Sequence, residues 1–277
     1  SSNSPHILYM SATPIPRSLA LVLYQGLDYT TIKDMPRGRK NIITERVCPN
    51  SRDKMYFKIN QRLDIGEQVF WVCPSINISE SSELESIYST HDIISKVFIG
   101  SKISVLHGQL DDKTQANTIK KFRDGKIDIL VCTTVIEVGV DIPNATCIVV
   151  EDSNRFGLSQ LHQIRGRVGR SSSQGYCYLA HSNNLNEDAD RRLNSLVSHY
   201  DGFKLAEEDL LIRGSGDYFG SRQSGHLNNF KLATLQDFIA NADIIKNLQS
   251  NISNLSETTR AKLLKRWRDD EEENLRL

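Results

Sequence analysis

Between Asn41 and His181 the sequence alternates short, continuous apolar runs with longer stretches whose apolar residues recur near every 3.6 positions. The runs cover 42–47, 68–73, 103–106, 129–132, 147–151 and 176–181, and the helical patterns between them cover 52–65, 83–99, 112–123 and 158–163. A strand apolar on both faces has to be covered on both faces, which crossover helices do. The alternation therefore predicts an α/β fold with a parallel sheet flanked by helices. Ser51 and Asp111 stand where N-caps belong, and Gly66 and Gly125 stand where helices close.

The residues ahead of this block do not fit it. A short strand at 6–10 and a short helix at 17–24 flank Ser11-Ala12-Thr13-Pro14-Ile15-Pro16, and such a pair cannot bury its apolar faces alone. Residues 1–33 are thus expected to be the tail end of an earlier domain, and the polar 34–41 a linker. After His181 the pattern turns helical, at 189–198 and 203–212. Residues 213–225 then carry four glycines and two arginines, followed by helices at 231–249 and 257–268 and an acidic run at 269–273. The expected division is 1–33, 34–41, 42–182, 183–227 and 228–277.

Composition narrows the function classes. Thirty-four basic and thirty-four acidic side chains give zero net charge, so any site for a polyanion has to be a local cluster. No apolar run approaches the roughly 18 residues of a membrane span. The five cysteines (Cys48, Cys73, Cys132, Cys147, Cys177) contain no C-x-x-C pair and read as reduced thiols of a cytosolic protein, with no metal site expected.

Two segments carry chemistry. In Gln160–Arg170 three arginines (Arg165, Arg167, Arg170) alternate with Gly166 and Gly169. A guanidinium is a planar donor fork suited to phosphate, and glycine lets backbone approach a ligand closely; a solvated basic loop is the plainer alternative. In the second segment an apolar strand runs into Thr133 and Thr134, with Gly139 and Asp141 following. That puts hydroxyls at the carboxyl edge of a parallel sheet, where ligands of open α/β sheets bind, and Asp141 is suited to a sugar hydroxyl. Here the plainer alternative is that the threonines cap a turn.

Taken in order, Ser11-Ala12-Thr13, the Thr133 to Asp141 segment and Gln163 to Arg170 resemble motifs III, V and VI of superfamily 2 helicases. Leu106-His107-Gly108 resembles the turn with which second motor lobes grip nucleic-acid backbone. Met10–Arg17, Val135–Asp141, Leu161-His162-Gln163 and Asp209–Asp217 are similar to the RecG family of fork-remodelling helicases. Gly220–Gly225 stands where that family and the transcription-repair coupling factor share a translocation hairpin. Glu137-Val138-Gly139-Val140 and Leu161-His162-Gln163 fit RecG better than the coupling factor.

The resemblance implies a second RecA-like motor lobe, followed by a helical hairpin and C-terminal helices. ATP and Mg2+ would sit between two lobes, held mainly by the first. Arg167 and Arg170 would be catalytic; Gly139, Asp141 and Gln163 would contact nucleotide, with Gln163 and Arg165 orienting the loop. His107, Gly108, Thr133 and Thr134 would hold DNA backbone. Ser11, Ala12, Thr13, Arg213, Gly214, Arg222 and Gln223 would couple hydrolysis to movement.

The implied partners are branched or forked double-stranded DNA and the rest of the same polypeptide, a first motor lobe and a wedge domain. A monomer working in the bacterial cytoplasm at the nucleoid, in fork regression and branch migration for repair and recombination, is expected. The 277 residues contain no G-x-x-x-x-G-K-[ST] phosphate loop, so the chain is expected to be a carboxyl-terminal part without ATP turnover of its own. A coupling translocase and a non-catalytic binding module are the alternatives; Arg167, Arg170 and Asp141 speak against the module.

Overall fold

The computed structural model of the chain describes residues 8, 10, 30, 32, 40–74, 80–133, 142–169, 173–213, 256–259 and 261–262. Its strands are β1 (Ile43–Val47), β2 (Gln68–Val72), β3 (Ile103–Leu106), β4 (Ile129–Cys132), β5 (Ala145–Val150) and β6 (Tyr176–Ala180). All pair in parallel, in the order β1-β6-β5-β2-β4-β3. The helices are α1 (Arg52–Asp64), α2 (Glu80–Val97), α3 (Asp112–Arg123), α4 (Leu158–Arg165), α5 (Glu187–Ser198) and α6 (Gly202–Arg213). This is the parallel sheet that the apolar runs predict, the strand starts shifting by no more than about a residue or two.

The order explains which face each helix covers. From β1 to β2 and from β2 to β3 the chain moves across the sheet in one direction; from β3 to β4 and from β5 to β6 it moves back. Right-handed crossovers therefore lay α1 and α2 on one face and α3 and α4 on the other. Met55, Ile59, Ile87 and Ile94 accordingly pack with Val69, Trp71 and Val149. Phe122, Leu158 and Leu161 pack with Phe70, Val72 and Ile148, and Leu193 and Leu196 of α5 join that face. Alternate residues of β2 thus serve opposite cores, and each is no more than 3% exposed.

Local signals act unevenly. Asp111 caps α3, its Oδ1 accepting from Thr114 N at 2.9 Å, and Gly66 and Gly125 close their helices at φ 82° and 70°. Ser51 does not cap α1. It lies in a 3-10 turn, Pro49–Ser51, and its hydroxyl turns back to Cys48 O at 2.9 Å. Helix α5 starts two residues before the expected 189, because Asn186 accepts from Ala189 N at 2.8 Å and sets the first turn.

Compactness divides the chain into two units, Ser1–Pro16 with Asp28–Ile212, and Arg17–Leu27 with Arg213–Leu277. In the second, Ser256 opens a helical turn, accepting from Thr259 N at 3.3 Å. The elements expected at 6–10, 17–24 and 231–249 lie outside the described residues. Among the described residues no helix is long and apolar enough to cross a membrane, and no three His, Cys, Asp or Glu side chains group as a metal site. Burial pushes the Cys73 and Cys177 thiols up to about 12 and raises Cys132 and Cys147 too. These four are inert packing residues at neutral pH.

Candidate functional site

The sheet brings His107 and Thr133 together. Leu106 of β3 lies opposite Cys132 of β4, so the next residue on each strand opens the carboxyl edge side by side, and Thr133 N donates to Leu106 O at 3.4 Å. His107 is 6% exposed and Thr133 1%. The Thr133 hydroxyl and His107 Nδ1 are buried with no hydrogen-bond partner among the described residues. An unsatisfied buried polar atom costs about 1–3 kcal/mol, so the pair is kept at a stability cost. Gly108 beside them is exposed.

The turn carrying His107 is held firmly. Leu110 N donates to His107 O at 3.3 Å, Gln115 Nε2 donates to Leu110 O at 2.6 Å, and Asp111 takes both the amide and the hydroxyl of Thr114. Those two bonds hold the Asp111 carboxyl below the usual carboxylate range. Tyr88 on α2 reaches across to His107, its hydroxyl 3.3 Å from Nε2. The helical pattern gave no sign of that contact, because it records only that position 88 lies in a helix.

Between β2 and β5 the connections leave in opposite directions, the crevice where an open sheet ordinarily receives a ligand. Side chains close it here. Glu151, just past β5, takes both guanidinium nitrogens of Arg52, and Trp71 Nε1 donates to its Oε1 at 3.1 Å. Its hydrogen bonds to Glu151 raise the pKa of Arg52 above its ordinary value. The unpartnered polar atoms of this edge, on His107 and Thr133, lie over β3 and β4 and are buried.

The arginine-bearing turn lies at the other end of the sheet. Helix α4 starts beyond β5 and runs back, so Gly169 lies beside Ile42 and Gly175, at the amino ends of β1 and β6. Val168, 1% exposed, anchors the turn in the core. Gly169 has φ +68°, and a Cβ there would stand 3.0 Å from Ile42 Cγ1. Gly175 in turn lies so close to Gly169 that its own Cβ would meet Gly169 Cα at 3.0 Å. Gln174 Nε2 donates to Asn41 O at 2.6 Å, and Ile43 N donates to Gly175 O at 2.9 Å.

The close approach at Gly169 is to Ile42 and Gly175, at the start of β1 and directly after the polar 34–41 segment. Gly169→Ala should lower unfolding free energy by about 1–2 kcal/mol, from the left-handed backbone alone. Urea unfolding measures it, and a loss below about 0.5 kcal/mol would mean that the turn rearranges freely.

Arg165 is held inside the protein. It is 3% exposed, and its Nη1 donates to Leu196 O at 2.6 Å and His199 O at 2.9 Å. Its guanidinium carbon lies 5.8 Å from the Tyr200 ring centre. Desolvation lowers its pKa, and no carboxylate among the described residues pairs with it. The carbonyl end of α5 neutralises it instead. On the same helix Ser159 donates to Asp209 Oδ2 of α6 at 2.8 Å, and Asp209 is 1% exposed. Helix α4 is therefore tied at both ends to the helices that follow β6.

Arg167 is half-buried two residues beyond Arg165, and Gln163 is exposed on α4. Arg213 ends α6. The remaining site residues expected from the sequence (Ser11, Ala12, Thr13, Thr134, Gly139, Asp141, Arg170, Gly214, Arg222 and Gln223) lie outside the described residues. Of the described members, Gly169, next to Arg167, packs against Ile42 at the amino end of β1, whereas His107 and Thr133 follow the carboxyl ends of β3 and β4.

Known proteins match this arrangement. The helicase conserved C-terminal domain family matches residues 54–172. The ATP-dependent DNA helicase RecG of Synechocystis sp. is 44% identical over 234 residues, covering 84% of this chain and 28% of that protein. RecG of Aquifex aeolicus is 44% identical over 235 residues, covering 83% and 29%. A solved structure, RecG bound to a three-way DNA junction, superposes with a TM-score of 0.62 at 37% identity, covering 85% of this chain and 30% of that one. The chain thus spans under a third of the length of these relatives.

Proposed function

From a chain that belongs to the RecG family and carries its helicase conserved C-terminal domain, we propose the second motor lobe of an ATP-dependent DNA helicase that remodels branched DNA. The observation that carries this reading is the arginine turn, locked by Val168 and Gly169 against the first residues of β1. A preceding lobe joined through 34–41 would enter the sheet beside that turn. Triphosphate held by such a lobe would meet Arg167 and Arg170, and a fixed charge at that point stabilises the transferring phosphoryl group without reorganising water. Gly139, Asp141 and Gln163 would contact the same nucleotide. Mg2+ would be held by the other lobe.

At the opposite edge, His107, Gly108, Thr133 and Thr134 would grip phosphates. Contacts of that kind fix register without reading bases, as movement along any sequence requires. Ser11, Ala12 and Thr13 would pass hydrolysis to lobe movement, and Arg213, Gly214, Arg222 and Gln223 would pass it to the DNA. The ties from α4 to α5 and α6 support this route, because they join the helix before the arginine turn to the helix ending at Arg213. Fork regression and branch migration in repair and recombination, in the bacterial cytoplasm at the nucleoid, follow as the cellular role. The protein would act as a monomer.

A synthetic replication fork tests the proposal. The whole gene product is expected to convert the fork to regressed duplex with ATP and Mg2+, and the 277 residues alone to release no phosphate above background. A gene product that hydrolyses ATP equally without DNA and leaves forks intact would contradict it.

A further inference from the structure

We propose that Tyr88 is a positioning residue: its phenol donates to His107 Nε2, holds the ring in the Nδ1–H form, and so makes His107 and the neighbouring Thr133 paired donors for one nucleic-acid phosphate. The inference rests on the reading that this edge holds nucleic-acid backbone.

Four observations lead to it. The Tyr88 hydroxyl is 3.3 Å from Nε2, and the two rings meet edge to face, centres 5.9 Å apart at 72°. Tyr88 is itself 46% exposed, so it is not a core packing residue, while the ring it meets, His107, is 6% exposed. Nδ1 and the Thr133 hydroxyl are buried without partners among the described residues, on the residues that follow a matched pair of adjacent strands.

A neutral imidazole has one donor and one acceptor nitrogen, and whichever bond one nitrogen makes fixes the other. A phosphate oxygen only accepts. For Nδ1 to serve a phosphate it must carry the proton, and Nε2 must then accept. The tyrosine hydroxyl is the group placed to give that bond. Thr133 needs no such help, because a hydroxyl rotates to suit its acceptor.

Tyr88→Phe removes the hydroxyl and keeps the ring contact. In the 277-residue chain, long-range nitrogen–proton NMR is expected to find the neutral His107 ring protonated at Nδ1, and to find mixed forms in Y88F. If the Nδ1–H population drops to about one fifth, the apparent affinity for a labelled forked duplex falls about fivefold. The salt dependence should keep its slope, since the number of phosphate contacts is unchanged.

In a His107→Ala background the Tyr88→Phe change should do nothing further to binding. A tautomer that Y88F leaves unaltered, or a Y88F loss that adds fully to that of H107A, overturns the positioning role. A wild-type chain that binds no forked duplex overturns the nucleic-acid reading of the edge and the phosphate role with it.

Discussion

Arg165→Met is expected to lower the unfolding free energy by about 3 kcal/mol, read as a shift of the urea midpoint at unchanged slope. A hydrogen bond from a charged donor contributes roughly 1.5–3 kcal/mol net, and Arg165 makes two, to Leu196 O and His199 O. Methionine fills much of the same space, so little of the loss comes from a cavity. Removing a desolvated charge returns part of the energy, which keeps the expected figure at the lower end of the sum. Arg165→Lys should recover less than half of the loss, because the shorter lysine stem does not carry its nitrogen to the place from which Nη1 reaches both carbonyls. A loss below about 0.5 kcal/mol for Arg165→Met would mean that the end of α5 finds other donors.

Most of the sheet was legible from the sequence and part of the site was not, and the reason differs by residue. Continuous apolar runs mark strands covered on both faces, and glycines at φ 82° and 70° after α1 and α3 mark helix ends. Those are local signals. Strand order is not local; the runs imply parallel pairing but do not say that β6 and β5 lie between β1 and β2. Ser51 misled because its backbone, at φ −106° and ψ 4°, is not in the extended conformation that aims an N-cap oxygen at the first helix amides.

Arg165, Arg167 and Arg170 are alike in sequence, and only the carbonyls of Leu196 and His199, more than thirty residues later, take the first of them out of solvent. Tyr88 lacked any sequence signal, since its partner stands at the end of a different strand. Gly169 was marked by its type, but its close neighbours turned out to be Ile42 and Gly175. A glycine shows that something comes near, not what.

Arg167→Ala and Arg170→Ala are each expected to cut ATP turnover of the intact helicase by about 10³-fold or more, within the range seen for arginine fingers. Buried Val168, and Gly169 packed against Ile42, help to fix the turn in the fold. Affinity for forked DNA should change less than about twofold, since the proposed grip at His107 and Thr133 lies at the end of the sheet opposite Arg167, and distant sites act independently. Two groups serving one transition state are not additive, so the double variant should lie close to the worse single one.

Steady-state phosphate release by the intact gene product carrying both Arg167→Ala and Arg170→Ala, measured with saturating forked DNA, tests the central claim most directly. The account predicts turnover at background while the variant still binds the fork. Turnover near that of the unaltered protein would contradict it.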